Sequence, residues 1–353
     1  MKTGSVLLLA ASLACAGCAL VGPASISNGR GVYSDVINNT EDEQLLKVIV
    51  LERFGQTFGM LTVTSVTASI KVSANAGAQA GVGSKQAYEG NLVPLAVGVA
   101  YEESPTISYV PLSGEAFLSR MLAPITPPQA TLLLGAANGD GAWIRQMCRR
   151  INGMENPAHR APSPRLKRFA VLESKLRRAG VMEVGTLASS DASAAEYYVR
   201  ISGYRESHLE EVREILRVLG LNDVRADGSD IVLPIYITPG NEHPNAINLQ
   251  LRSALDVIRD VGRTIQVPAE HVKYALPLEP ADADEEQLMS IRASKSAPED
   301  AAVAVPFRGW WYYVDATDAR SKRAFKLLRL MIGLRLEEKA SDRPAPVLTI
   351  PAR

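Results

Sequence analysis

Two periodicities take turns along this chain, and their succession lays out a series of helices and strands. Thr40 followed three residues later by Glu43 has the spacing of a capping box. Leu45, Leu46, Val48, Ile49 and Leu51 to Phe54 then supply the stripe of an amphipathic helix, which Gly55 closes. From Met60 the period falls to two. Val66, Ala68, Ile70 and Val72 alternate with Thr67, Ser69, Lys71 and Ser73, the pattern of a strand with one wet face. The glycine- and alanine-rich residues 74–83 read as a loop, and 92–101 and 106–110 as two further strands, giving an antiparallel meander with the helix packed on its apolar face. A helix opened by Ser113 carries Phe117, Leu118, Met121 and Leu122 up to the prolines at 124, 127 and 128. More helical pattern follows at 130–134 and 143–151, on either side of a glycine-rich turn at 138–141.

Pro157 to Pro164 reads as a linker, after which Ser163 and Pro164 start a basic amphipathic helix running to Gly180. Tyr197 to Ser202 is a strand, Ser207 with Glu210 is a second capping box opening a helix to Leu219, and Ile231 to Ile237 is an apolar strand. Residues 246–261 place Ile247, Leu251, Leu255 and Ile258 on one side of a helix. Strands are expected at 289–293, 302–307 and 310–314, the last two joined as a hairpin at Arg308 and Gly309. A helix beginning at Asp315 to Asp318 runs through Phe325, Leu327, Leu328, Leu330 and Met331, and 347–350 closes a sheet edge. No repeat recurs at a fixed period. The fold class is therefore α+β, antiparallel strands interspersed with amphipathic helices, in an N-terminal region 39–156 and a C-terminal region 165–353 separated by the linker 157–164.

Composition adds a class and removes some partners. With 353 residues, 46% hydrophobic and 22% charged, the chain has the make-up of globular material, enough for one large domain or two medium ones. Basic and acidic residues number 38 each, a balance that argues against nucleic acid or another polyanion as partner. Only three cysteines occur, Cys15, Cys18 and Cys148. Cys148, set among Trp143, Ile144, Met147 and Ile151, reads as a buried core residue rather than a reactive thiol.

The first residues carry the sharpest signal. Met1, Lys2 and Thr3 make a short positive start, Val6 to Ala14 an apolar run, and Ala16 and Gly17 lead directly into Cys18. That is the layout of a secretory signal, its apolar run far short of the roughly 20 residues that cross a bilayer as a helix. No later stretch reads as a transmembrane helix in the mature chain. Ala16, Gly17 and Cys18 resemble the lipobox of bacterial lipoproteins, although Cys15 stands where that family commonly has leucine, and is the rival acceptor. The resemblance implies a signal peptide 1–17, cleavage before Cys18, acyl chains such as palmitate on Cys18, and a tether at 18–38. Two or three acyl chains hold a protein to a membrane far more firmly than one. Ala19 is not the aspartate that in enteric lipoproteins resembles an inner-membrane retention signal, so the outer membrane is the expected address.

Candidate chemistry is sparse. Gly77 to Lys85 has the glycines of a phosphate loop in the wrong order, with Ser84 directly before Lys85. His159, His208, His243 and His271 lie at spacings unlike a zinc motif and among polar neighbours, no Gly-x-Ser-x-Gly elbow occurs, and Asp282, Asp284, Glu285 and Glu286 lack the pattern of a calcium loop. Arg165, Lys167, Arg168, Lys175, Arg177 and Arg178 read as a wet helical face. Trp310, Trp311, Tyr312 and Tyr313 alternate faces on a strand, so about half belong to the core. No catalytic, cofactor or metal residues are assigned.

Residues 39–54 (NTEDEQLLKVIVLERF), 61–66 (LTVTSV), 105–115 (PTISYVPLSGE), 151–153 (ING) and 313–325 (YVDATDARSKRAF) resemble a family of Gram-negative envelope proteins to which no activity is attached. The resemblance implies an envelope location and nothing catalytic. The expected function is a lipid-anchored, periplasm-facing, non-enzymatic component that binds an envelope protein partner or scaffolds an assembly. An envelope hydrolase with an unrecognised serine or carboxylate centre, and a small-ligand or lipid carrier, are the alternatives.

Overall fold

The structure, a computed structural model, describes residues 31–78, 95–112, 114–137, 141–158, 160–187, 196–237, 240, 242–277, 287–337 and 348–351. The expected signal peptide, Cys18 and the segment 79–83 lie outside them. The fold is α+β, and no helix among the described residues is long and apolar enough to cross a membrane. The chain divides into two compact units, one comprising residues up to Phe58 together with Gly114–Ala340, the other Gly59–Ser113 with Ser341–Arg353.

The first unit opens with α1, residues 31–53. The helix starts earlier than its expected cap, so part of the expected tether is helical. Thr40 lies inside it, its hydroxyl donating to the carbonyls of Val36 and Ile37 at 2.9 and 3.0 Å. Leu45, Leu46, Val48, Ile49 and Val50 are buried, as the stripe requires. Helices α2 (Gly114–Leu122), α3 (Pro127–Ala136) and α4 (Ala142–Met147) follow. The chain then turns extended at β3 (Cys148–Ile151), where one helix through Ile151 was expected. Asn152 and Gly153, with φ of 40° and 73°, form the two-residue turn into β4 (Met154–Glu155).

Helix α5 (Pro164–Arg178) begins as expected, with Ser163 accepting from the Leu166 amide and Pro164 in the first turn. Beyond it come β5 (Met182–Leu187), β6 (Glu196–Ile201), α6 (Leu209–Leu219) and β7 (Ile231–Ile237). Ser207 does not cap α6. Its hydroxyl lies 2.7 Å from His208 Nδ1, and His208 is the N-cap residue. The helix expected over 246–261 is two elements, β8 (Ile247–Leu251) and α7 (Ala254–Gly262). Ile247, Leu249 and Leu251 are buried at alternate positions, and Ser253 with Asp256 makes the capping box that starts the helix afresh.

Strands β3 to β8 form one sheet in the order β4-β3-β8-β7-β6-β5, antiparallel except for the parallel pair β7–β8. Because β3 and β8 are neighbours, residues on either side of 157–164 share a single sheet, and the chain does not separate into halves there. A smaller sheet, β10 (Ala301–Phe307), β11 (Trp310–Asp315) and β9 (Arg292–Ser294), contains the expected hairpin, its turn made by Arg308 and Gly309 at φ 51° and 77°. Helix α8 (Ala319–Glu337) buries Ala324, Phe325, Leu327, Leu328, Met331 and Ile332 and packs near α2, α3, α4 and α7.

The helix-to-strand change at Met147 and Cys148 leaves the last carbonyls of a short helix without helical partners, that of Ile144 alone among its final four accepting from the Cys148 amide. Two buried side chains answer them. Asn156 donates through Nδ2 to the carbonyls of Ile144 and Cys148 at 2.9 and 2.7 Å, and Arg252 donates to the carbonyl of Arg145 at 2.6 Å and to that of Asn156. Arg252 also pairs with Asp260 at 3.2 Å. Burial pushes the Arg252 pKa down and that of Asp260 up, in each case more strongly than their mutual attraction opposes it. Each charge is thus disfavoured by its surroundings, and the carbonyl bonds are what the guanidinium contributes. Arg252→Ala should lower the unfolding free energy by about 3–5 kcal/mol in urea titration, because it strands both Asp260 and the carbonyls. Asp260→Asn keeps those bonds and should cost clearly less.

The second unit is a three-stranded antiparallel sheet in the order β1-β2-β12, formed by β1 (Met60–Ala78), β2 (Leu95–Leu112) and β12 (Leu348–Pro351). The two strands expected at 92–101 and 106–110 are one continuous strand from Leu95, 92–94 lying outside the described residues, and 74–78 belong to β1 rather than to a loop. β12 lies at a sheet edge as expected.

Candidate functional site

The residues that the sequence offers for chemistry do not converge. His243 stacks on Tyr236 with ring centroids 3.8 Å apart, and His208 starts α6. His271, far from lying among polar neighbours, is buried beside Phe54 and Trp310, with Nδ1 3.2 Å from the Tyr312 hydroxyl. Burial pushes that phenol up to about 12. His159 and the acidic residues 282–286 lie outside the described residues. Among the described residues no group of three histidine, cysteine, aspartate or glutamate side chains is placed to hold a metal. Cys148 is fully buried, and burial drives its thiol pKa well above the ordinary range, which leaves it without nucleophilic character. Of the aromatic run, Tyr312 is core, while Trp310, Trp311 and Tyr313 are half-buried. Trp310 donates its indole N–H to Glu270, and Lys295 lies 4.6 Å over its ring.

A different feature of the first unit has the shape of a site. Helices α4, α5 and α8 enclose an open groove of about 810 Å³. Helix α4 holds the other two in place. Trp143 Nε1 donates to Glu173 of α5 at 3.2 Å, and Gln146 Nε2 donates to the Ala324 carbonyl of α8 at 2.9 Å. The close approach of α4 to α5 depends on Gly141, which sits at φ 70°, and a Cβ there would meet the Ala170 carbonyl oxygen at 3.1 Å. Ile144, Leu166, Val171 and Leu288 supply an apolar lining. Around it stand six cationic side chains: Arg145, Lys167, Lys175, Arg178, Arg320 and Arg323. No carboxylate lines the groove among the described residues.

The basic run of α5 is therefore split in two by helical spacing. Arg168 makes a bidentate pair with Glu214 of α6, both bonds 2.6 Å, and Arg165 donates to the Val218 carbonyl at 2.7 Å. Arg177 bonds the Leu134 carbonyl at 3.0 Å. Lys167, Val171, Lys175 and Arg178, at intervals of three and four, share the face turned to the groove. Lys175 reaches Glu211 at 2.5 Å as well.

Across the groove, Arg320 and Arg323 occupy the first turn and a half of α8, which has no acidic residue in its first turn. Cations there oppose the positive end of the helix dipole. Burial, and next the charge of Arg323, holds the Arg320 guanidinium below its usual pKa. Asp318 offsets part of this, accepting from the Ser321 amide at 3.0 Å and from its hydroxyl at 2.6 Å as the N-terminal cap. Those bonds hold the Asp318 carboxyl below the usual carboxylate range. Like charges are thus brought near one another in a concave, partly apolar setting.

No family model matches the chain, and neither a curated protein nor a solved structure is similar to it. Lys167, Lys175 and Arg178 belong to the basic run of α5 that is visible in the sequence, whereas Arg145, Arg320 and Arg323 join them only in the fold. No local pattern joins residues that far apart in the chain. The overall charge balance also hid them, since a neutral sum says nothing of where charges gather.

Two outcomes follow from this arrangement. A thiol reagent should leave Cys148 unmodified in the native protein and label it promptly in denaturant, followed by mass spectrometry of the purified domain. Asp318→Ala should cost about 1 kcal/mol of stability at neutral pH. A carboxyl whose folded pKa is lowered contributes above its unfolded pKa and stops contributing as pH falls through the folded value. The gap between wild type and Asp318→Ala should therefore narrow on acidification below the ordinary carboxylate range.

Proposed function

We propose that this chain is an outer-membrane lipoprotein, anchored through Cys18 and facing the periplasm, that works without catalysis by holding an acidic, amphipathic segment of an envelope protein partner in the α4–α5–α8 groove. The observation that carries the binding reading is the groove itself, six cations around an apolar lining, of which Lys175 is also paired with Glu211. A helix or extended segment bearing acidic residues on one face and apolar residues on the other matches both parts of that surface. The positively charged start, short apolar run and Ala16-Gly17-Cys18 junction support the address.

Crosslinking in native envelopes followed by mass spectrometry tests the partner. A Lys167→Glu, Arg320→Glu, Arg323→Glu variant should recover it roughly tenfold less well, a loss of about 1.4 kcal/mol, and wild-type capture should weaken as salt is raised. Unfolding midpoints should show that the variant stays folded. Recovery of the same partner in equal yield by wild type and variant would exclude the groove as the binding surface. A palmitate label lost in Cys18→Ser supports the anchor, and a label that survives that change moves the anchor to Cys15 or removes it.

A further inference from the structure

The second unit has properties that the groove does not explain. Strands β1 and β2 are 19 and 18 residues long and pair antiparallel from Met60↔Leu112 to Ala78↔Leu95. Directly paired residues of antiparallel strands lie on the same face, and faces alternate along each strand. The register Val72↔Tyr101, Ala74↔Val99 and Ala76↔Val97 therefore gives one face apolar residues throughout this stretch. The register Ser73↔Ala100, Asn75↔Gly98 and Gly77↔Ala96 gives the other face small and polar ones. Charge ends at the pair Lys71↔Glu102. In the sequence it resumes only at Lys85 and Glu89, so residues 72–84 and 90–101 are each uncharged.

Both outer edges of this stretch lack a described neighbour. β1 is the edge strand of its sheet, and β12 pairs with β2 only between Thr106 and Tyr109. A two-stranded ribbon of this kind is marginal in water, and its open edges are templates for pairing with another chain. A transmembrane β-strand needs about 9–11 residues, with apolar positions alternating against polar ones and no open edge. The paired strands are longer than that, the alternation over 72–78 and 95–101 is of the right kind, and successive ribbons joined β2 to β1 keep every neighbour antiparallel and the number of strands even.

We infer that copies of this chain pair edge to edge through β1 and β2, and that the resulting ring of ribbons spans a lipid bilayer as a β-barrel, with the Val72, Val97 and Val99 face on lipid and the Ser73, Asn75 and Gly98 face on the lumen. The partner is a second copy of this chain, and the surrounding phase is bilayer hydrocarbon. The inference shares only the membrane address with the proposed function.

The test uses purified full-length protein and phosphatidylethanolamine–phosphatidylglycerol vesicles loaded with a small fluorescent dye. Wild type should release dye, run as an SDS-resistant oligomer that heating dissociates, and give stepwise conductance in planar bilayers. Val97→Arg, on the lipid face, should cut release at least about tenfold, because a cation near the bilayer midplane opposes insertion. Ser73→Arg, on the lumen face, should still release dye and shift the conductance toward anions. Both variants should keep the wild-type unfolding midpoint of the first unit. No release and no oligomer from folded wild type would overturn the inference, and so would equal loss from the two substitutions, which a ribbon lying in water or flat on the surface would give. The assay requires neither the groove nor its partner, so loss of partner capture with dye release intact, or the reverse, tells the two readings apart.

Discussion

The first unit depends on how it meets a single geometric demand, a chain that changes from helix to strand between Met147 and Cys148 in the middle of its core. A short helix ending in a dry interior exposes carbonyl oxygens that neither solvent nor the helix can satisfy. Asn156 and Arg252 reach those oxygens from two directions, and the Arg252 amide adds a bond of 2.7 Å to the Met147 carbonyl. Met147 is thereby fixed beside the end of β8, and β3 beside β8, so the six-stranded sheet and the helix α4 are positioned by the same few bonds. The groove inherits this order. Ile144 and Arg145 of α4 line it, and the contacts from Trp143 to α5 and from Gln146 to α8 transmit the position of one helix to two others.

Local chemistry made some elements readable. Ser163 and Pro164 mark the start of α5, and Arg308 with Gly309 marks the β10–β11 turn, because each sets backbone geometry by itself and needs no distant partner. The misreadings have equally specific causes. Ile247, Leu251, Leu255 and Ile258 fit a helical stripe, yet Ile247, Leu249 and Leu251 fit a strand as well, and the sheet decides by offering β3 and β7 as neighbours. Cys148 belongs to the apolar pattern of α4 by spacing and to β3 by pairing. Ser207 and Glu210 have capping-box spacing, but the Ser207 hydroxyl engages the ring of His208 instead. In each case a tertiary interaction outweighs a local preference of about 1 kcal/mol or less.

The groove was legible only in part, for a related reason. Helical spacing shows that Lys167, Lys175 and Arg178 share a face, but it cannot show that this face meets the first turn of α8. Arg320 and Arg323 stand in the first turn and a half of α8, where the helix dipole disfavours cations.

The placement of β12 has one more consequence, which concerns the order of synthesis. Leu348 to Pro351 cover β2 between Thr106 and Tyr109, and they leave the ribosome only after all of α2 to α8 has been made. A polypeptide halted before residue 348 carries that portion of the β2 edge bare. Completing this three-stranded sheet is thus coupled to translation of everything from α2 to α8, and β2 waits for its second neighbour until the rest of the chain has been made.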